Sequence, residues 1–325
     1  MSTVTLADPA NIAATMIACR VHQFGGPEVI TLETLARPEP GPGQVLVRVA
    51  AAGVGPWDAW IRAGRSVLPQ PLPLTLGSDI AGEVVATGPG VAGFEPGDAV
   101  FGVTNKRFTG GYAEFALAEA GMIARRPARM DPLEAASLPV VSVTAQQALE
   151  RAGVAAGQTV LIHGGAGSVG GVAVQLAHRA GARVIATAGA RDLAYVRGLG
   201  ADQAVDYQAE RFEDAAAGGV DAVLDFAGGE TQARSFAVLR RGGRLVSAVS
   251  EPDAALARAR GVTALFFLVE VTSERLAQVA AQFGAGSLAA DIGAVLPLAS
   301  ARVAHEMLDG ARPRPRGKIV LSIAV

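Results

Sequence analysis

Residues His163 to Gly171 read HGGAGSVGG, and within them Gly165, Gly167 and Gly170 are spaced G-x-G-x-x-G. Glycines at that spacing, between a strand and a helix, are suited to holding the diphosphate of a dinucleotide. Gly165 permits the tight turn, Gly167 lets backbone approach the pyrophosphate, and Gly170 lets the helix pack closely on the strand. The N–H groups and positive dipole end of the helix then face the phosphates. With 40 glycines in 325 residues the pattern alone is weak, so its flanks decide. Strand-like TVLIH leads straight into it, and Val169, Val172, Ala173, Leu176 and Ala177 follow at helical spacing.

The next strand bears on which dinucleotide. An NAD site usually ends that strand, about 20 residues onward, with Asp or Glu on the ribose hydroxyls. Here RVIATAGARD places Thr187, Ala188 and Gly189 at the strand end, followed by Arg191. A missing carboxylate and a nearby guanidinium favour a 2′-phosphate, hence NADPH. Asp192 lies past the strand and reads as a cap for the next helix. A solvent-facing arginine is the competing reading of Arg191.

These residues need a parallel sheet to position them. From about residue 131 strand and helix patterns alternate: TVLIH, RVIAT, QAVDY, DAVLDFAG, GRLVSAVS and TALFFLV read as strands, with VGGVAVQLAHRA, DLAYVRGLG and ETQARSFAVLRR as helices. Such alternation predicts a doubly wound parallel sheet. Asp131-Pro132-Leu133-Glu134 has the signature of a helix start, and Ser300 reads as a cap before ARVAHEMLDG. The first third differs. VLVRVAAAGV, DIAGEVVATG and GDAVFGV are short β-type runs between Gly/Pro-rich turns, which predict a barrel or sandwich.

Composition excludes several classes. The net charge of -2, with no basic stripe, argues against nucleic acid. One cysteine, Cys19, cannot build a disulfide framework or a cysteine zinc cluster, and fits a reducing cytoplasm. The histidines His22, His163, His178 and His305 are dispersed without ligand spacing. The start of the chain lacks a basic segment and carries Asp8, so no signal peptide is expected. Glycines, Gln158 and His163 interrupt the longest uncharged run, so no membrane span is expected either.

The chain resembles the medium-chain dehydrogenase/reductase superfamily, in its zinc-free quinone oxidoreductase (zeta-crystallin-like) branch. The resemblance rests on FGGPEVITLE, AAGVGPWDAWIRAG, LGSDIAGEVVATG, GDAVFG, GGYAEFA, AASLPVVSVTAQQAL, HGGAGSVGGVAVQLA, GADQAVDY, LDFAGGET, GGRLVS and GKIVLSI, in family order from Val21 onward. It implies an α/β fold: a Rossmann doubly wound parallel sheet plus a GroES-like β-barrel catalytic domain, with the active site between them. The corresponding expectation is a tail at 1–15, a catalytic domain at 16–137 completed by 275–325, and a dinucleotide-binding domain at 138–274. Zinc-dependent relatives carry Cys and Gly-His-Glu where this chain has Gly55-Pro56 and Gly77-Ser78-Asp79, which implies a mechanism without metal.

The resemblance also assigns roles. Thr144 matches a threonine near the nicotinamide, with a helix-cap hydroxyl as its alternative. Ala166, Gly167, Ser168 and Val169 match the phosphate turn, and Gly189 the end of the second strand. Arg191 and Tyr207 match residues holding the 2′-phosphate, although Tyr207 also reads as a strand-end aromatic. Ala227 and Ser250 follow later strands toward the cofactor groove. Phe267 and Val269 match the segment meeting the carboxamide, and equally read as a buried core strand. Lys318 resembles a basic residue near the cofactor, against a plain surface lysine. Trp57 and Trp60 are assigned to the substrate pocket, Trp60 by stacking on a planar acceptor and Trp57 against ordinary packing. Asp58 reads as fixing its loop, and Tyr112 as structural rather than as a proton donor. Relatives commonly have Asn at the position of Gly55. Together these imply hydride transfer from NADPH to a quinone or α,β-unsaturated carbonyl, by a homodimer joined through TALFFLV. An NADPH-binding structural or regulatory role, crystallin-like, is the alternative.

Overall fold

The computed structural model describes residues 14–323; most of the segment read as a tail, and the last two residues of the final strand pattern, lie outside the described residues. The chain forms two compact units. One takes the described chain up to Val140, Val271–Gly284 and the part from Ala290 onward, and the other takes Val141–Glu270 with Ala285–Ala289. No helix among the described residues is long and apolar enough to cross a membrane.

The first unit carries strands β1 (Thr15–Val21), β2 (Thr31–Ala36), β3 (Gln44–Val54), β4 (Leu74–Thr75), β5 (Asp79–Thr87), β6 (Ala99–Val103), β7 (Phe115–Glu119) and β8 (Ile123–Arg125). Its pivot is β3. One edge of β3 pairs with β5, while the other takes β7 along Gln44–Arg48 and the chain's last strand along Ala51–Val54. Two register shifts in the β3–β5 ladder let the long strand bend, as bulges do. Val45, Val47, Val49, Ile80 and Val84 pack inward from these strands. Helix α1 (Pro56–Arg62) leaves β3 at Gly55, where Asp58 Oδ2 accepts the Gly55 N–H at 2.8 Å and the Asp58 N–H donates back to Gly55 O at 3.0 Å. Helix α2 (Pro132–Ser137) starts as its sequence predicts: Asp131 and Glu134 cap each other's N–H at 2.8 and 3.0 Å.

After α3 (Pro139–Ala152) the second unit holds six parallel strands in the order β11-β10-β9-β12-β13-β14. These are β9 (Thr159–His163), β10 (Arg183–Ala188), β11 (Gln203–Asp206), β12 (Val220–Asp225), β13 (Leu239–Ser247) and β14 (Thr263–Phe266). All five residues of β9 are buried, as expected of a central parallel strand covered on both faces. The helices are α4 (Ser168–Arg179), α5 (Leu193–Gly198), α6 (Phe212–Ala215), α7 (Gly229–Ser235) and α8 (Ala254–Arg260). Helix α7 is shorter than its pattern: Phe236 and Val238 go into the core, and the chain is already a strand at Leu239. Strand β14 is shorter too. Past Phe266, the side-chain amide of Gln147 captures both the N–H (3.2 Å) and the C=O (2.7 Å) of Glu270. Phe267 and Val269 therefore lie beyond the strand.

The chain closes with α9 (Ser273–Gly284), β15 (Ile292–Pro297), α10 (Ala301–Leu308) and β16 (Lys318–Ser322). Ser300 sits at the N-cap of α10 but makes no side-chain capping bond, because a 3-10 turn, Leu298–Ser300, feeds the helix instead.

Candidate functional site

In the second unit, the carboxyl ends of β9, β10 and β12 open onto a groove of about 560 Å³. The glycine turn forms one side of it. Gly164 carries the left-handed torsion, φ 73°, that swings the chain out of β9. A Cβ on Gly165 would lie 2.9 Å from the Ala186 Cβ, and one on Gly170 would lie 2.1 Å from Gly164 O. The motif is thus required for close approach of turn, strand and helix. Helix α4 begins at Gly167, which has no side chain to cap it, so its first-turn N–H groups are left for a ligand. A dinucleotide diphosphate fits this donor set.

Six of the predicted residues line the groove: Ala166, Gly167, Gly189, Arg191, Tyr207 and Ala227. Asp192 and Glu210 bring carboxylates into the same lining, so its charge is mixed. Ser168 and Val169 open α4. Ser250 does not line the groove; it accepts from Gln232 Nε2 at 3.1 Å through its hydroxyl and through its carbonyl. Thr144 is buried in mid-helix, so its capping alternative falls, and the groove does not include it. Phe267 is buried with the Arg151 guanidinium 5.0 Å from its ring centre, and neither it nor Val269 lines the groove.

In the first unit a second constellation forms. Lys318 Nζ donates to Asp79 Oδ2 at 3.0 Å, with both side chains at most 3% exposed. The surface-lysine alternative for Lys318 therefore falls. Its ammonium also lies 4.3 Å from the ring centre of Trp57, whose indole N–H donates to Ser78 Oγ at 2.9 Å. The Trp57 ring lies over Gly55 so closely that a Cβ there would be 2.3 Å from it. Trp60, by contrast, is 47% exposed on α1.

Beneath this, Asp58 is fully buried. Its Oδ2 accepts from Gly55 N–H and from Tyr112 O–H at 3.0 Å, while its Oδ1 has no partner. Burial pushes the Asp58 carboxyl up to about 7, against the pull of the Gly55 N–H, Lys318 and Tyr112. Burial likewise raises Asp79, although Lys318 opposes it. Tyr112 is held well above its ordinary value by burial and by Asp58, so its O–H stays protonated and donates to Asp58. His305 is buried against Arg62, 3.0 Å from Nη1, and burial brings it down to about 3.

A family model described as alcohol dehydrogenase GroES-like domain matches residues 41–128, and one described as zinc-binding dehydrogenase matches 199–321. The quinone oxidoreductase of Sus scrofa is 35% identical, over 94% of this chain and 97% of that one. The structure of the quinone oxidoreductase from Coxiella burnetii superposes with a TM-score of 0.88 at 34% identity, covering 95% of this chain and 100% of that one. The chain belongs to the medium-chain dehydrogenase/reductase superfamily. Within that superfamily its place is the quinone oxidoreductase branch. A further relative in the superfamily, the chloroplastic NADPH-dependent alkenal/one oxidoreductase of Arabidopsis thaliana, is 36% identical over 75% of this chain and 65% of that one.

Several residues of the superfamily fold escaped the sequence reading. Asp225 ends β12 fully buried and organises the next turn: Oδ1 accepts from Ala227 and Gly228 N–H at 3.0 and 2.8 Å, and Oδ2 from Gln232 and Ser247 at 2.9 and 2.8 Å. Its position at the end of an apolar run, three residues ahead of a glycine pair, was the available signal. Arg234, fixed by Glu213 at 2.8 and 2.7 Å, is a second guanidinium lining the groove. The Asp79–Lys318 pair had no local signal.

Proposed function

We propose that this protein transfers a hydride from NADPH to a quinone or an α,β-unsaturated carbonyl without zinc. The observation carrying this is the groove: a glycine turn and an open helix N-terminus beside a β10 end without a carboxylate, with Arg191 in the turn after β10 and Tyr207 just past β11. Bound there, NADPH supplies the hydride. The chain's own part is to bind and orient. The α4 N-terminus takes the diphosphate, and Arg191 pairs with the 2′-phosphate as a charge-assisted donor. Thr144, Ser250, Phe267 and Val269 are assigned by family resemblance to the rest of the cofactor, and Trp57 and Trp60 to the acceptor. The names of the pig and Arabidopsis relatives support both acceptor classes. The segments where zinc-dependent relatives carry Cys and Gly-His-Glu read Gly55-Pro56 and Gly77-Ser78-Asp79, and the one ligand-type side chain among them, Asp79, is paired with Lys318. The acceptor's proton comes from solvent, since Tyr112 and Asp58 are both buried.

The test is NADPH oxidation against a panel of quinones and enones, with metal analysis alongside. Tight binding with no turnover across the panel would favour a structural role, and stoichiometric zinc would overturn the metal-free mechanism. In Arg191→Asp, preference for NADPH over NADH should fall by about 10- to 100-fold, the value of a hydrogen bond to a charged group. An unchanged preference would show that the selector lies elsewhere. We also propose a homodimer joined through β14, the last strand of its sheet, which light scattering reads directly.

A further inference from the structure

His163 ends β9 and immediately precedes the glycine turn, yet nothing in the proposed reaction uses it. Its ring is fully buried, and Phe212 packs edge-on against it with centroids 4.7 Å apart. Both ring nitrogens are engaged. The Ser235 hydroxyl donates to Thr231 O at 2.7 Å, so its oxygen is left to accept, and it lies 2.8 Å from His163 Nε2. That makes Nε2 the protonated nitrogen. Nδ1 is then an acceptor, and Thr187 Oγ1 lies 3.3 Å from it. With its proton directed at Nδ1, Thr187 Oγ1 accepts the Gly164 N–H at 3.2 Å.

One ordered set of donors results: Gly164 N–H to Thr187, Thr187 O–H to His163, His163 N–H to Ser235, and Ser235 O–H to the Thr231 carbonyl. Its beginning is the residue that makes the turn. Thr187 also accepts the next N–H, that of Gly165, on its own carbonyl at 2.9 Å. Gly164 O accepts the Gly167 N–H at 2.9 Å, so the Gly164 residue is tied at both its N–H and its C=O. Burial holds the imidazole down to about 4, with Arg234 lowering it further and Asp225 and Glu213 opposing, so the ring is neutral at physiological pH.

We propose that His163 is a positioning residue for dinucleotide binding: as a neutral Nε2–H imidazole it orients the Thr187 hydroxyl, which sets the Gly164 peptide and with it the phosphate turn. The inference rests on the reading of the groove as a dinucleotide site. It also gives Thr187 a second role, beyond leaving the strand end without a carboxylate.

The test has two arms. In the unaltered protein, the ¹⁵N imidazole signals of His163 should report the neutral Nε2–H tautomer throughout the range in which an ordinary histidine titrates, from about pH 5 to pH 8. An Nδ1–H tautomer or a titrating ring would overturn the proposal, and this arm needs no variant to fold. In the second arm, Thr187→Val removes the bridging hydroxyl at nearly constant shape. His163→Gln keeps a donor toward Ser235 but loses the Nδ1 acceptor. Both should weaken NADPH and NADH by the same factor, about tenfold, as the loss of one or two hydrogen bonds predicts, with the preference between the two unchanged. That common factor separates His163 from Arg191, which acts on the preference. Wild-type affinity in Thr187→Val, beside normal binding by the unaltered protein, would overturn this inference alone. No dinucleotide binding by the unaltered protein would overturn the proposed function and this inference with it.

Discussion

Asp58 offers a sharp test of how the first unit is built. Its folded carboxyl sits at about 7 because it is fully buried, against an ordinary value of 3.8. Between those values the folded chain keeps a proton that the unfolded chain has released. Stability then falls as pH rises, by up to 1.36 kcal/mol for each pH unit, and levels off above the folded value. From pH 5 to pH 7 this group alone should cost about 2 kcal/mol. His163 and His305 work the other way. Their folded values, about 4 and about 3, lie below the ordinary 6.5, so they add stability as pH rises toward 6.5. Asp79, also raised, adds to the downward trend. The raw curve of the unaltered protein is therefore a sum of opposing slopes, and the informative quantity is a difference. Asp58→Asn keeps the shape and an oxygen for Gly55 N–H and Tyr112 O–H, but cannot ionise. Urea unfolding of both proteins from pH 5 to pH 8 should show the Asp58→Asn variant gaining about 2 kcal/mol on the unaltered protein over that range, with most of the gain below pH 7. Parallel curves would refute the buried, proton-bearing carboxyl.

Three further outcomes follow from named contacts. Gly55→Asn should cost about 1–3 kcal/mol by overpacking, because its Cβ falls 2.3 Å from the Trp57 ring. With Trp60 changed to Phe, Trp57 is the one remaining tryptophan, and its emission should shift as the indole leaves Ser78; unchanged emission would contradict the packing. Lys318→Met should lose about 3–5 kcal/mol by stranding a buried Asp79, and Lys318→Met with Asp79→Leu should recover most of it, as read by urea unfolding. Gly170→Ala should weaken NADPH binding, because the methyl meets Gly164 O at 2.1 Å and pushes α4 off the turn; titration with unchanged affinity would count against the close approach.

What could be read from the sequence is what one strand, one turn and one helix determine. The β9 run, apolar at Val160, Leu161 and Ile162, fits a central parallel strand buried on both faces, and the Asp131–Glu134 cap is a four-residue pattern. The groove lining was legible because the carboxyl ends of neighbouring parallel strands converge, which brings Gly167, Gly189 and Ala227 together. Detail inside the turn was less so: the left-handed torsion belongs to Gly164, one residue ahead of the Gly165 to which the spacing assigns it. Pattern reports where glycine is tolerated, whereas torsion depends on how β9 meets β10.

The first unit shows the opposite limit. Lys318 and Asp79 are 239 residues apart and meet only because β16 pairs with the edge of β3 opposite β5. The same closure brings the Lys318 charge to bear on Asp58 and sets the ammonium against Trp57. Trp57 itself was open between packing and acceptor contact, and Gly55 bears on that choice. A side chain at position 55 and the indole at its present place exclude one another, so the glycine that removes an amide is also what admits the ring. The indole so admitted is held between the Ser78 hydroxyl and the Lys318 ammonium. Any preference for acceptor in this protein that differs from its relatives should therefore respond to residues 55 and 57 as a pair, and not to either alone.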